Sequence, residues 1–209
     1  MRHSDPTFDI ADPASLEALF GTPGEASIAK EIGHIDANYR ALIEASPFVA
    51  LATAGPGGLD CSPRGDGPGF IRVLDEKTLL LPERRGNNRI DSLRNLLVDP
   101  RVALLFLIPG VGETLRVNGR ATISADPALL QQHEVDGKAP KVVLLITVDS
   151  VFFQCSRAVV RADLWNPERH ADRATLPTPG QILDSLTASA INREQYDTEL
   201  PGRVKATLY

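Results

Sequence analysis

Apolar residues along this chain recur first in a helical period and then in a strand period, and the change falls near Ser46-Pro47. Asp12-Pro13 followed by Ala14, Leu16, Leu19 and Phe20, then Gly21, predicts a short helix with a cap, a proline in its first turn and a glycine stop. Ile28, Ile32, Ile35, Tyr39, Leu42 and Ile43 follow at three- and four-residue spacing and predict one longer amphipathic helix that ends before Pro47. From Phe48 the chain reads as strand, Gly55-Pro56-Gly57-Gly58 turn and strand, a hairpin. Phe70 to Leu74 and Thr78 to Leu81, around Asp75-Glu76-Lys77, predict a second antiparallel pair.

Arg89 to Val98 predicts a helix, because Ile90, Leu93, Leu96 and Leu97 share a face and Asp99-Pro100 stops it. Val102 to Ile108 is almost wholly apolar and predicts a strand buried on both sides, whereas Leu115 to Ile123 alternates and predicts one wet face. A helix from about Asp126 to His133, a strand from Val142 to Val148 and a continuation at Val151 to Phe153 complete the main body. Five or six antiparallel strands with interspersed helices predict an α+β fold built on a small barrel whose closure removes exposed edges. Beyond Trp165 prolines interrupt the chain, and only Ile182 to Ile191 reads as helical. The expected organisation is a helical extension over 1–45 packed on the barrel, a barrel over 46–165 and a tail over 166–209.

At 209 residues and 43% hydrophobic, the chain fits one principal core with short extensions. A net charge of −5 disfavours a nucleic-acid partner, which needs a basic face. Met1 to Asp12 lacks the basic start and apolar stretch of a secretory signal, and no apolar run spans a membrane, so the cytoplasm is the expected compartment. Cys61 and Cys155, with no CxxC or Cys/His spacing, are expected to be ordinary buried thiols, and no metal site is expected. His3, His34, His133 and His170 stand apart from any carboxylate or nucleophile at a diagnostic spacing, so no catalytic acid, base or nucleophile follows.

The candidate chemistry lies between Leu79 and Ser92, where a strand runs through an arginine-rich loop into a helix. Arg84, Arg85, Arg89, Asn87, Asn88 and Ser92 offer charged and neutral donors to one anion near a helix start. Solvated arginines capping an exposed helix would give the same pattern. Neither GxxxxGK[ST] nor GxGxxG is present, and Gly65 to Gly69 has no helix after it, so a single phosphate is favoured over a polyphosphate.

Leu51 to Asp66 (LATAGPGGLDCSPRGD), Gly86 to Asn95 (GNNRIDSLRN), Asp99 to Phe106 (DPRVALLF) and Glu113 to Ala121 (ETLRVNGRA) occur in an order that resembles the pyridoxamine 5′-phosphate oxidase-like family of split β-barrels, over roughly residues 46 to 165. The resemblance implies an antiparallel split barrel that binds flavin mononucleotide, FMN, at a site shared by the two subunits of a homodimer. It implies flavin contacts from Arg64, on the strand whose arginine reaches the phosphate, and from Arg85, Asn88, Arg89 and Ser92 in the phosphate loop, with Asn88, Arg89 and Arg64 foremost. Thr114 and Arg116 fall on the strand that supplies polar contacts to the flavin ring, from the same subunit or across the dimer.

The sequence departs from pyridoxamine 5′-phosphate oxidase proper. It lacks the Ser-Arg-Lys triplet at the helix start and the Arg-x-His substrate signature, and its spacing to Asp99-Pro100 differs, which speaks against vitamin B6 oxidation. Gln154 and Arg157 stand where an uncharacterised branch of the family commonly has histidine and lysine. Arg157 and Arg161 face either the ligand opening or solvent from a helix near Trp165, and Lys138 and Lys141 either line the pocket or stay in water. The expected function is a flavin-dependent oxidoreductase acting on a small molecule; a carrier or sensor without turnover, or a barrel that takes the deazaflavin F420 or haem, remains open.

Overall fold

The computed structural model describes residues 5–209 and divides into two compact units, one ending at Glu31 and one from Ile32 to Tyr209. His3 lies outside the described residues. In the first unit, α1 (Pro13–Phe20) is capped by Asp12, whose carboxylate accepts from the Ser15 amide, and stops at Gly21 with φ 70°. α2 (Glu25–Ala29) follows, and none of the described residues of this unit is buried.

The single long helix expected from Ile28 to Ile43 is instead two. In the second unit Ile32 pairs backbone to backbone with Val151, and α3 (Ala37–Ala45) starts afresh at Asp36, which accepts from the Tyr39 amide at 2.8 Å. The apolar spacing survived the break because Ile35, Tyr39 and Ile43 all enter the same core.

Seven strands follow: β1 (Phe48–Gly55), β2 (Gly58–Gly65), β3 (Arg72–Asp75), β4 (Thr78–Pro82), β5 (Arg101–Leu107), β6 (Thr114–Ser124) and β7 (Val143–Gln154). α4 (Asp91–Leu96) lies between β4 and β5, and α5 (Pro127–Gln131) between β6 and β7. All pairings are antiparallel, in the order β2-β1-β5-β6-β7-β4-β3. The fold is the α+β split barrel expected from the sequence, with seven strands where five or six were expected. Backbone closure is not complete, because β2 and β3 end the hydrogen-bonded order. Side chains bridge the gap instead: Arg64 pairs with Glu83 at 3.0 Å and Asp66 with Arg84 at 2.7 Å, joining the end of β2 to the segment after β4.

One face of the sheet carries the core, which includes Val49, Leu51, Leu104, Phe106, Leu115, Val117 and Ile146. Each such fully buried side chain stabilises the fold by about 2 kcal/mol through the area it removes from water. β5 is not buried on both sides: Val102, Leu104 and Phe106 point inward, while Ala103, Leu105 and Leu107 are half-buried on the outer face. β6 alternates as expected, with Leu115, Val117, Gly119 and Ala121 inward. A bulge at Asn118/Gly119 brings the β7 backbone so close that a Cβ on Gly119 would lie 2.2 Å from the Thr147 carbonyl oxygen.

After β7 come α6 (Arg157–Ala162), α7 (Pro179–Leu186) and α8 (Arg193–Ala206). Trp165 donates its indole N–H to the Val111 carbonyl at 2.7 Å. The region beyond Trp165 is more helical than its composition predicted. A capping box between Thr178 and Gln181 starts α7, and Asn192 caps α8. Among the described residues no helix is long and apolar enough to cross a membrane, and no group of three metal-ligating side chains occurs. Cys61 and Cys155 are exposed rather than buried, Cys61 because β2 is an edge strand and its side chain points away from the core.

Candidate functional site

β2 alternates polar residues where an ordinary core strand would alternate apolar ones. Asp60, Ser62 and Arg64 stand opposite Thr53, Leu51 and Val49, so they share the inner face with those buried β1 residues. α4 packs over this polar row. A Cβ on Gly55 would lie 2.1 Å from Asn95 Oδ1, so glycine is what lets the helix approach β1, and Asn95 Nδ2 donates to Thr53 Oγ1 at 3.1 Å.

That approach brings Ser92 against Arg64. Ser92 is buried at 2% exposure; its hydroxyl donates to Asp60 Oδ2 at 2.6 Å and accepts from Arg64 Nη2 at 3.1 Å. Arg64 also donates through Nε to Glu83 at 3.0 Å and through Nη1 to the Pro63 carbonyl at 3.0 Å. These three bonds use three of the five N–H groups of a guanidinium, leaving one on each Nη for a further acceptor. The result is a positively charged fork held by the Glu83 carboxylate on one side and by the Ser92 hydroxyl, itself bonded to Asp60, on the other.

The loop from Glu83 to Ile90 leads from β4 into α4. Arg85, Asn88 and Arg89 are exposed; Arg89 donates to Asp91 at 2.7 Å, and Asn87 Oδ1 accepts from the Arg89 amide at 3.0 Å. Asn88 and Ile90 have φ of 60° and 53°. Asparagine tolerates this left-handed region, but a β-branched isoleucine does so only at a cost of about 1–3 kcal/mol, which marks the entry to α4 as strained.

Thr114 and Arg116 are not part of this cluster. Arg64 stands opposite Val49, Val49 opposite Phe106 and Phe106 opposite Leu115, so all four share one face, and Thr114 and Arg116, which flank Leu115, project from the other. There Arg116 lies 5.2 Å over the Phe152 ring, and Gln154, with its amide oxygen turned toward the guanidinium, accepts from Arg116 Nε at 3.2 Å and Nη2 at 2.8 Å. Leu105, opposite Arg116, joins Ala103, Ala50, Ala52 and Leu107 in a half-buried apolar patch beside it. Thus the structure brings Arg64 and Ser92 together, leaves Arg85, Asn88 and Arg89 on the exposed loop next to them, and sets Thr114 and Arg116 on the opposite face. Lys138, Lys141, Arg157 and Arg161 are all exposed.

The profile of the pyridoxamine 5′-phosphate oxidase family matches residues 35–155, more than half of the chain. The chain belongs to this family. Solved structures of low identity are similar to part of the chain. HupZ of Group A Streptococcus is 20% identical, with 58% of this chain and 95% of that chain covered and a TM-score of 0.48. General stress protein 26 of Bacillus anthracis is 14% identical, covering 54% and 88%, at 0.42. A FAD-binding protein of Mesorhizobium loti is 19% identical, covering 57% and 93%, at 0.40. No curated protein matches the sequence.

Sequence reasoning missed Asp60 and Glu83. Both were within reach, since Asp60, Ser62 and Arg64 follow one another at a spacing of two on a strand and Glu83 begins the arginine loop. What hid them was the expectation that a phosphate site is lined by donors alone, charged or neutral.

Proposed function

We propose that this family member binds FMN at a site shared between two subunits and works as a flavin-dependent oxidoreductase on a small molecule. The observation that carries the proposal is the Arg64–Ser92 junction, where a pinned guanidinium keeps an N–H on each Nη beside the loop that precedes α4. This donor set fits a phosphate monoester. Arg64 would hold the phosphate, Ser92 would orient Arg64 while keeping its own proton on Asp60, and Arg85, Asn88 and Arg89 would close over it from the loop.

A ring system attached to that phosphate cannot also reach Thr114 and Arg116 of the same subunit, because they project from the opposite sheet face. A twofold partner resolves this, since Thr114 and Arg116 of the partner subunit would supply the polar contacts to the ring. The half-buried patch of Ala50, Ala52, Ala103, Leu105 and Leu107 beside Arg116 favours such a mate, because burying it removes apolar area from water. When bound, FMN would itself supply the hydride or electron transfer. A reducing cytoplasm suits the two exposed free thiols.

The visible spectrum of the purified protein tests the reading, with and without added FMN. The expected result is a bound flavin at close to one per subunit. Absence of bound flavin in both samples overturns it. Turnover of NADH or NADPH with an acceptor, well above the rate of free FMN, is expected of an oxidoreductase, and its absence in a flavin-loaded protein would leave a carrier.

A further inference from the structure

The Asp66–Arg84 pair, beside the Arg64 junction, is enclosed by groups from distant parts of the chain. The Asp66 carboxylate accepts from Arg84 Nε at 2.7 Å, from the Gly67 amide at 2.7 Å and from the Tyr209 hydroxyl at 2.8 Å. Arg84 donates through Nη1 to the His133 carbonyl at 2.5 Å, and its guanidinium lies 5.6 Å from the centre of the Tyr209 ring. Tyr209 therefore touches both members of the same ion pair. The two charged side chains retain 15% and 8% exposure. A pair open to water contributes little, whereas one covered by a ring and a phenol sits in a lower local dielectric where each contact is stronger.

Tyr209 is not presented on a loose segment. It lies three residues beyond α8, which is clamped to α7 because Asp197 accepts from the Thr178 hydroxyl at 2.5 Å and from the Gly180 amide at 2.8 Å. A Cβ on Gly180 would lie 2.4 Å from the Arg193 carbonyl oxygen, so the two helices meet in direct backbone contact. The ring is thus carried by a preformed hairpin.

We propose that Tyr209 is a positioning residue for the ligand loop: by covering the Asp66–Arg84 pair it fixes the start of the loop, and with it the place where residues 85–90 and Arg64 meet the flavin phosphate. The inference rests on the flavin reading for its consequence but not for the contact. Arg64–Glu83 and Asp66–Arg84 join the same two segments at adjacent positions, so the loop leaves the barrel in one direction only while both hold. Release of the second pair would let Glu83 and Arg84 swing about the first.

Hydrogen exchange in the full chain tests this at two amides that flank the pair, Asp66 bonded to the Pro47 carbonyl and Glu83 bonded to the Val142 carbonyl. Tyr209→Ala should speed exchange at both by about tenfold, and Tyr209→Phe, which keeps the ring over Arg84, by about threefold, while amides at the centres of β5 and β6 stay unchanged. The FMN dissociation rate should rise in the same graded order. Unchanged exchange at Asp66 and Glu83 in Tyr209→Ala overturns the contact's role, and faster exchange with an unaltered FMN dissociation rate overturns its effect on the site. A wild-type chain that binds no FMN overturns the flavin reading instead, and the exchange measurement still decides the latch.

Discussion

Arg64 and Arg116 project from opposite faces of one antiparallel sheet, separated by a ladder that runs Arg64, Val49, Phe106, Leu115. Two cations so placed cannot grip the two ends of one small ligand within a single subunit. In a twofold dimer with a shared site, each ligand would take Arg64 from one subunit and Arg116 from the other.

This arrangement predicts complementation. Arg64→Ala and Arg116→Ala homodimers should each bind FMN poorly, whereas subunits unfolded together and refolded as an equal mixture should recover about a quarter of the wild-type number of tight sites, because half of the dimers carry one intact site. Flavin fluorescence quenching counts the sites. No recovery, in a mixture shown by mass to contain the heterodimer, would place both arginines in one subunit's site or in none.

Arg64 and Arg89 should differ in weight. The Arg64 side chain is 15% exposed and pinned by three hydrogen bonds, so its donors are already ordered; Arg89 is 73% exposed and must be drawn out of its contact with Asp91. Arg64→Ala is expected to weaken FMN binding by about tenfold to a hundredfold and Arg89→Ala by about threefold to tenfold. Titration of the apoprotein checks the order, and a larger loss at Arg89 would contradict the placement of the phosphate at Arg64.

Stability should depend on pH through His133. Burial first, then the positive charges of Arg72 and Arg84, hold its imidazole below the ordinary value of 6.5. The folded chain therefore binds this proton less readily than the unfolded chain. Its contribution is complete above the unfolded value and is lost as pH falls below it toward the folded one. The urea midpoint should drop between about pH 7.5 and about pH 5.5, and His133→Leu should flatten that drop. An equal slope in the variant would assign the dependence to other groups.

Asp66 works in the same direction at lower pH. Burial raises its pKa, but hydrogen bonds from Tyr209, Gly67 and Arg84, with the charge of Arg84, more than offset this and leave it below the ordinary carboxylate value. The cover over Arg84 is accordingly retained through neutral pH and lost only in acid, as the pH falls through the folded-state pKa of Asp66.

The sequence by itself determined the family, the split barrel and the inward and outward faces of β6, because strand alternation and turn residues are local signals that survive in any tertiary setting. It also singled out the loop from Glu83 to Ser92, since arginines and amides crowd there. Tertiary structure alone decided which of those side chains meet. Arg64 reaches Ser92 because Gly55 lets α4 lie close to β1, and Asp60 enters by the pleat of β2. The break between α2 and α3 depended on a pairing of Ile32 with Val151, and the covering of Arg84 on Tyr209, both contacts across more than a hundred residues. Such pairings carry no periodicity along the chain. They are chosen by the geometry of a sheet whose edges are joined by side chains, and only the folded molecule brings them to one place.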